Sequence, residues 1–489
     1  MSGYPPGVKI WLIRGVLALP LALVIVAVGG AASAVNRLPD LQPWHQLKSR
    51  LEPRADEITP GFTLAAYLER EAAVFEEARE RVEVIVSVGA NPAVPNRYVA
   101  ASRSHPSQLA SRWNHTDILD LPEPIGGAVL VHGLTDSPYS MRTLADRLHA
   151  LGYYTVSLRM QGHGTVPGGL VNVRWEDWSA AVQMGARHVR QRIGASAPLV
   201  MAGYSNGGAL VTKYALDALD DAALPLPSTL ILLSPMIGVS PAAGLAGAIS
   251  LLGPVVEKAR WIDVVPEYNP FKYNSFPANA GAQTARLTRA LSQQLAAAAR
   301  DGRLERMPSV LAFQSVVDTT VSTAAVATDL LDRLPAGRNE LVLFDLNRQA
   351  GIDAFTNAAA VLPRMIGEGV RPYTVTLVTN THADTLEVSA KSVAAGTTAL
   401  TEAALGLSWP GGMYSLSHIA LPFPEDDPIY GGTGNGRAIG SISLGRLSPR
   451  GEKGALIIPA DVLMRVSWNP FFPYLSERVE RWIAGPRQP

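Results

Sequence analysis

The chain contains no cysteine, so disulfides, cysteine-ligated metal sites and a cysteine nucleophile are excluded. Charge is also scarce, because only 17% of the 489 residues are charged and 42 basic residues balance 42 acidic ones. With no net charge and no basic run, the chain has no electrostatic attraction for nucleic acid, which is therefore not an expected partner. The 47% of hydrophobic residues is typical of a globular protein, and the length fits one large domain with insertions or two domains.

The N-terminus carries a targeting pattern. Residues 15–36 are uncharged and follow two basic residues, Lys9 and Arg14. This stretch is long enough for a membrane span of about 20 residues, and Ala32-Ser33-Ala34 matches a signal-peptidase cleavage pattern. Residues 1–36 are therefore predicted to be an uncleaved membrane anchor or a cleaved signal segment. Both alternatives place the rest of the chain outside the cytoplasm, which would be the periplasm if the cell is Gram-negative.

Short apolar runs alternate with amphipathic stretches through the middle of the chain. The pattern predicts strands at 127–133, 153–160, 197–203, 229–237 and 309–315, and helices at 61–82, 138–152, 178–194 and 207–218. Continuous apolar strands that alternate with helices predict an α/β fold, in which a mostly parallel central sheet has helices on both faces.

The remaining segments divide the chain. Residues 37–60 are rich in proline and charge and are predicted to be a linker, so that the folded domain covers 61–489. Within it, 239–308 is predicted to be a lid insertion, with a Tyr- and Phe-rich part that either lines an apolar pocket or packs the core of the cap. Residues 348–417 are predicted to be a second insertion with a strand at 373–380. The β-branched run at 82–88 suggests an early strand.

A nucleophile is indicated by Gly203-Tyr204-Ser205-Asn206-Gly207, which lies between a predicted strand and a predicted helix. This is the context that the G-x-S-x-G pattern requires. A sharp turn from strand to helix places the serine in a strained conformation and holds its hydroxyl clear of the sheet. Small neighbours let the two arms of the turn approach each other. Ser205 is therefore the predicted nucleophile.

Two backbone N–H groups are predicted to form an oxyanion site. One belongs to Asn206, the residue after the nucleophile, and the other to Leu134, which follows His132-Gly133 at the end of an earlier strand. His132 itself is expected to be structural, since the backbone supplies the donor.

The acid and the base should follow the nucleophile in the order Ser, Asp, His. Asp318 follows the strand at 309–315, at the same edge of the sheet as Ser205. Two histidines come after it, His382 and His418, and local pattern alone does not choose between them. His163, in the loop RMQGHGTVPGG (159–169), is expected to be structural.

The ordered motifs LVHGLTDSP, RMQGHGTVPGG, GYSNGG and QSVVD resemble the monoacylglycerol-lipase and serine-aminopeptidase-like branch of the α/β-hydrolases. The resemblance covers roughly 125–240 and 305–325, plus the region around His418. It implies the α/β-hydrolase fold and a triad of Ser205, Asp318 and a late histidine. SLSHIALPFPEDDPIYG is similar to the histidine segment of large exported bacterial members, which favours His418 over His382.

The expected function is hydrolysis of a carboxylic ester through an acyl-enzyme on Ser205, with a small-molecule or lipid-like acyl substrate and no cofactor or metal. One alternative is a peptidase, amidase or thioesterase that uses the same triad. Another is a membrane-tethered binding protein that keeps the fold without turnover.

Overall fold

The computed structural model describes residues 37–108, 114–238, 256–318, 320–351, 369–432 and 465–485. The predicted anchor or signal segment, 1–36, lies outside these residues and stays a prediction. Among the residues described, no helix is both long enough and apolar enough to cross a membrane.

Ten strands of the described chain form one large sheet. In chain order the strands are β1 (Asp117–Leu119), β2 (Gly126–Val131), β3 (Tyr153–Leu158), β4 (Leu199–Tyr204), β5 (Thr229–Leu233), β6 (Trp261–Asp263), β7 (Phe276–Pro277), β8 (Ser309–Ser315), β9 (Asn339–Phe344), β10 (Thr374–Asn380), β11 (Glu387–Val393), β12 (Leu400–Ser408), β13 (Ser415–Leu416) and β14 (Arg465–Val466). The large sheet has the order β1-β3-β2-β4-β5-β8-β9-β10-β11-β12, and β6–β7 and β13–β14 form separate pairs.

The strands from β3 through β2, β4, β5, β8 and β9 to β10 are parallel. β1 runs antiparallel at one edge, and β10, β11 and β12 form an antiparallel extension at the other. Parallel strands need crossover connections, so most of their side chains are covered on both faces. This explains why β2 and β4 are buried along their whole length.

The α-helices are α1 (Pro43–Gln46), α2 (Leu64–Ala78), α3 (Val84–Ser87), α4 (Arg142–Ala150), α5 (Trp175–Ile193), α6 (Asn206–Asp220), α7 (Ala278–Arg300), α8 (Thr323–Ala325) and α9 (Phe472–Ala484). They cover both faces of the sheet. Val129 and Val131 of β2 point into the core that α5, α6 and α7 share, while Ala128 and Leu130 point into the core that contains α4 and α9.

The predicted α/β architecture with a mostly parallel sheet is therefore confirmed, and the predicted strands lie within a few residues of the observed ones. The strand at 373–380 is also present, as β10. The strand suggested at 82–88 was wrong. There the chain continues from α2 through a π-helical turn, Arg79–Glu83, into α3.

Two segments that were predicted to be a linker and a lid, 37–60 and 239–308, contain residues that pack against the rest of the domain. Within 37–60, Trp44 and Leu47 are buried in a cluster with Val82 and Tyr98, so this segment packs on the domain instead of forming an exposed linker. Of the insertion 239–308, residues 239–255 lie outside the description. In the described remainder, α7 packs into the main core through the three leucines Leu287, Leu291 and Leu295. A lid role for this insertion stays a prediction.

Candidate active site

Ser205 is the single residue between β4 and α6, at a very sharp turn. Its φ of 53° and ψ of −116° lie in a region that costs a non-glycine residue about 1–3 kcal/mol. The surrounding backbone holds it there. The Ser205 N–H donates to Leu233 O at 2.9 Å, and the N–H of Met236 donates to Ser205 O at 2.9 Å.

The two glycines of the G-x-S-x-G pattern let the arms of this turn pass each other. A Cβ on Gly203 would lie 2.4 Å from the carbonyl oxygen of Gly207. A Cβ on Gly207 would lie 2.0 Å from the carbonyl oxygen of Val131 on β2. Both obstacles are backbone atoms and cannot rotate away. The pattern is therefore a steric requirement of this turn.

Three side chains form a continuous chain of contacts at the carboxyl edge of the sheet. Nε2 of His418 lies 3.1 Å from Oγ of Ser205, and Nδ1 of His418 lies 2.7 Å from Oδ2 of Asp318. All three residues are buried. The His418 ring also stacks on Tyr204, with ring centroids 5.6 Å apart. The structure thus brings together Ser205, His418 and Asp318.

His418 comes from a region far along the chain, and two strand ends hold it in place. The Asn347 N–H, just after β9, donates to Tyr414 O at 2.7 Å, and its side-chain amide donates to Met413 O at 2.8 Å. The Ser315 hydroxyl, at the end of β8, donates to Leu416 O at 3.4 Å. The segment before His418 is therefore fixed against the same sheet edge that carries Ser205.

His382, the other late histidine, is exposed in the turn between β10 and β11. Its carbonyl oxygen accepts a hydrogen bond from the Thr385 N–H at 3.2 Å, so the residue has an ordinary place in a turn. Of the two histidines that the sequence pattern leaves open, the one in contact with Ser205 and Asp318 is His418.

Both carboxylate oxygens of Asp318 are hydrogen-bonded. Oδ1 accepts the N–H groups of Thr320 at 3.0 Å and Val321 at 3.2 Å. Oδ2, which contacts His418, also accepts the Nε2–H of Gln314 at 3.1 Å. Gln314 was not predicted from the sequence. It lies inside an apolar strand and belongs to no motif, so no sequence signal identifies it.

Of the predicted oxyanion donors, Asn206 directly follows Ser205, and Leu134 follows Gly133, on which a Cβ would lie 3.3 Å from Cβ of Ser205. Within the described residues, neither the Leu134 N–H nor the Asn206 N–H has a hydrogen-bond acceptor. The loop after Leu134 is strained, since Thr135 has a φ of 62°. It is held by the Tyr273 N–H, which donates to Thr135 O at 2.7 Å. Both N–H groups are thus available to a further hydrogen-bond acceptor.

His132 and His163 have structural contacts. In the tautomer that fits its partners, His132 donates from Nδ1 to Gly133 O at 2.8 Å and accepts the Met160 N–H at Nε2 at 3.1 Å. Burial lowers the pKa of His132 to about 3. His163 packs edge-on against His132, and burial lowers the pKa of His163 well below its usual value. Two neutral rings therefore tie the loop before Leu134 to the 159–169 loop.

The Tyr- and Phe-rich part of the 239–308 insertion packs against these loops. Phe271 stacks on Tyr139, with ring centroids 4.0 Å apart. The Tyr273 hydroxyl donates to Gly162 O at 3.0 Å in the 159–169 loop. Both aromatic side chains are buried. Of the two predictions for this part, packing is the one that these contacts support.

Metal ligands are not gathered near this site, since the described residues contain no cluster of three or more His, Asp or Glu side chains suited to a metal ion.

Part of this chain is similar to known proteins. Residues 122–336 match the family model described as serine aminopeptidase, S33. A thermostable monoacylglycerol lipase from Bacillus sp. (strain H-257) is 36% identical over 89 residues, which are 18% of this chain and 34% of the lipase. The match therefore spans about a third of that relative's length.

Solved structures of lipolytic enzymes are also similar. One, from work on the metagenome-derived enzymes LipS and LipT, is 21% identical, with a TM-score of 0.38, over 47% of this chain and 87% of its own. A soluble variant of monoglyceride lipase from Saccharomyces cerevisiae is 16% identical, also with a TM-score of 0.38, over 47% of this chain and 82% of its own.

Proposed function

We propose that this chain is an α/β-hydrolase that hydrolyses carboxylic esters through an acyl-enzyme formed on Ser205. The observation that carries the proposal is the contact chain from Ser205 Oγ through the His418 ring to Asp318. A serine hydroxyl at 3.1 Å from an imidazole nitrogen, whose other nitrogen contacts a carboxylate, has the arrangement of an activated nucleophile.

The first half-reaction acylates the enzyme. Ser205 Oγ forms a bond to the acyl carbon while its proton passes to Nε2 of His418. The carbonyl electron pair moves onto oxygen, and the N–H groups of Leu134 and Asn206 bind the resulting oxyanion. Such donors contribute about 3 kcal/mol each to transition-state stabilisation. Asp318 accepts the Nδ1–H and stabilises the imidazolium.

Acylation is complete when the tetrahedral intermediate collapses, the bond to the alcohol oxygen breaks, and Nε2 of His418 returns the proton to that oxygen. The second half-reaction releases the acid. Water gives a proton to Nε2 of His418 and attacks the acyl carbon, which forms a second tetrahedral intermediate. Its collapse breaks the bond to Ser205 Oγ, and Nε2 returns the proton to Oγ, which frees Ser205 and the carboxylic acid. No step requires a cofactor.

Similarity to a relative that is named a monoacylglycerol lipase supports an ester or lipid-like substrate for this chain. A second candidate is cleavage of an amide by the same residues, because the matching family model is described as a serine aminopeptidase. Thioester cleavage uses the same steps.

A substrate panel tests the proposal. Purified protein is assayed with p-nitrophenyl acetate, butyrate and decanoate, with the matching thioesters, and with aminoacyl p-nitroanilides that have a free amino group. We expect kcat/KM to be at least about tenfold higher for an oxygen ester than for the anilides, with no turnover by Ser205→Ala.

Faster cleavage of the anilides than of the esters would indicate that the protein is a peptidase and not an esterase. No turnover of any substrate by folded wild-type protein would support a binding protein without catalysis.

A further inference from the structure

Gln314 is a buried polar residue that contacts Asp318. It lies on β8 with its side chain completely buried, and its Nε2–H donates to Oδ2 of Asp318 at 3.1 Å. The same oxygen lies 2.7 Å from Nδ1 of His418. The carboxylate oxygen that orients His418 therefore has a second side-chain donor.

The two carboxylate oxygens of Asp318 are held in different ways. Oδ1 is bound by backbone N–H groups of the loop that follows Asp318 itself. Oδ2 is bound by side chains from two other elements, β8 and the segment around His418. The amide of Gln314, together with the two N–H groups on Oδ1, restricts the rotation of the carboxylate about its Cβ–Cγ bond, and hence the direction in which Oδ2 faces the imidazole.

A purely structural role does not account for a glutamine at this position. The preceding residues on the same face of β8, Val310 and Ala312, belong to the apolar core. The Oε1 atom of Gln314 is buried and has no hydrogen-bond partner among the described residues. A buried polar atom without a partner lowers stability, and an apolar side chain of similar volume would avoid that cost. The side chain is thus costly for folding at one end and useful to Asp318 at the other.

We propose that Gln314 is a positioning residue, which holds Asp318 so that His418 is oriented to deprotonate Ser205. This inference rests on the proposed function. It predicts that loss of the Gln314 N–H slows the chemical step and leaves substrate binding and folding largely intact.

Gln314→Met is the direct test, because methionine has nearly the same length and no N–H donor. With a p-nitrophenyl ester, we expect kcat to fall about tenfold, the effect of losing one hydrogen bond to a charged group, while KM stays within about twofold. The rate of Ser205 modification by a small fluorophosphonate should fall by a similar factor, since that reaction also needs the base. The urea midpoint should stay unchanged or rise.

Phe313→Leu is the matched control. Phe313 precedes Gln314 on β8 but points into the opposite core, where it stacks with Phe344. We expect this variant to lose stability and to keep kcat within about twofold of wild type. Gln314→Met is thus expected to lower kcat without loss of stability, whereas Phe313→Leu is expected to lower stability without loss of kcat.

Unchanged kcat and unchanged phosphonate reactivity in Gln314→Met would overturn the inference, and so would a loss of kcat in both variants in proportion to their stability. If the methionine variant does not fold, Gln314→Asn replaces it, because its shorter side chain withdraws the amide from Asp318. The same loss is expected there, and full activity would again overturn the inference. Absence of ester hydrolysis in wild type would instead reject the proposed function.

Discussion

Backbone strain in the described residues is concentrated around Ser205, the proposed nucleophile. Thr135, Ser205 and Ser234 are the non-glycine residues with positive φ in the described part of the chain, at 62°, 53° and 42°. Ser205 and Ser234 directly follow β4 and β5, and Thr135 lies in the loop after β2. Strained conformations persist where surrounding contacts enforce them, and they cluster at functional sites. Strain at these three neighbouring strand ends is therefore what we expect of a preorganised site.

Replacement of the two histidines that follow Asp318, His382 and His418, is expected to have very different effects on kcat. His418→Ala removes the imidazole that contacts Ser205, and we expect kcat for an ester to fall by at least about 10³-fold. His382→Ala removes an exposed turn residue of the same type and should keep kcat within about twofold. Steady-state kinetics of the two purified variants check this. Substantial activity in His418→Ala, or a large loss in His382→Ala, would contradict the assignment.

Sequence could identify some of these residues and not others for a physical reason. Ser205 is recognisable because the turn that exposes it is local and needs glycine at fixed spacing. His418 lies 213 residues from Ser205 and is brought there by contacts from Asn347 and Ser315. Those contacts leave no local pattern, so His382 remained an alternative. Gln314 could not be found at all, because its proposed role depends on a hydrogen bond to Asp318 that no sequence motif indicates.

At the scale of elements, the segment before α2 is part of the domain. Arg159, at the start of the 159–169 loop, is completely buried and forms an ion pair with Glu52. Glu52 also accepts the Gly162 N–H at 2.9 Å, and the Arg159 Nε–H donates to His163 O at 2.7 Å. The conformation of this loop therefore depends on a residue outside the region that matches the family model.

Glu52→Ala should accordingly be costly. It leaves the Arg159 guanidinium buried without its carboxylate, and breaking a buried pair from one side typically costs about 3–5 kcal/mol of unfolding free energy. The control is Glu477→Ala, which breaks an exposed pair with Arg481 on α9 and should cost less than about 1 kcal/mol. Urea unfolding of both variants measures the difference. Equal, small losses would show that the 37–60 segment does not support the loop.

The errors in predicting elements also have a physical cause. Residues 82–88 are rich in β-branched side chains, which favour strands, but they directly continue the helix that begins at Leu64. Val82 packs in the cluster around Trp44 and Tyr98, and this tertiary contact outweighs local preference. The same cluster explains why 37–60 is packed, since a sequence rich in proline and charge does not reveal its few buried residues.

At the scale of the whole molecule, the strand order places the site. β2, β4, β5, β8 and β9 are adjacent and parallel, so their carboxyl ends meet at one edge. The loop with Leu134, a proposed oxyanion donor, follows β2, the proposed nucleophile Ser205 follows β4, and Asp318 follows β8. Ligands of open parallel sheets bind at this edge. The alternation of apolar runs and helices was enough to predict this arrangement, because fully buried parallel strands have a distinctive composition. The antiparallel extension β10–β12 was less visible, since β11 and β12 leave many of their residues partly or fully exposed.

The most direct test of the account is covalent trapping of the nucleophile. Wild-type protein and Ser205→Ala are incubated with a fluorophosphonate, and intact mass and peptide mapping locate the adduct. We expect one adduct per wild-type chain, on the peptide that contains Ser205, and none on the variant at the same protein and probe concentrations. Equal labelling of the two proteins, or an adduct on another serine, would contradict it.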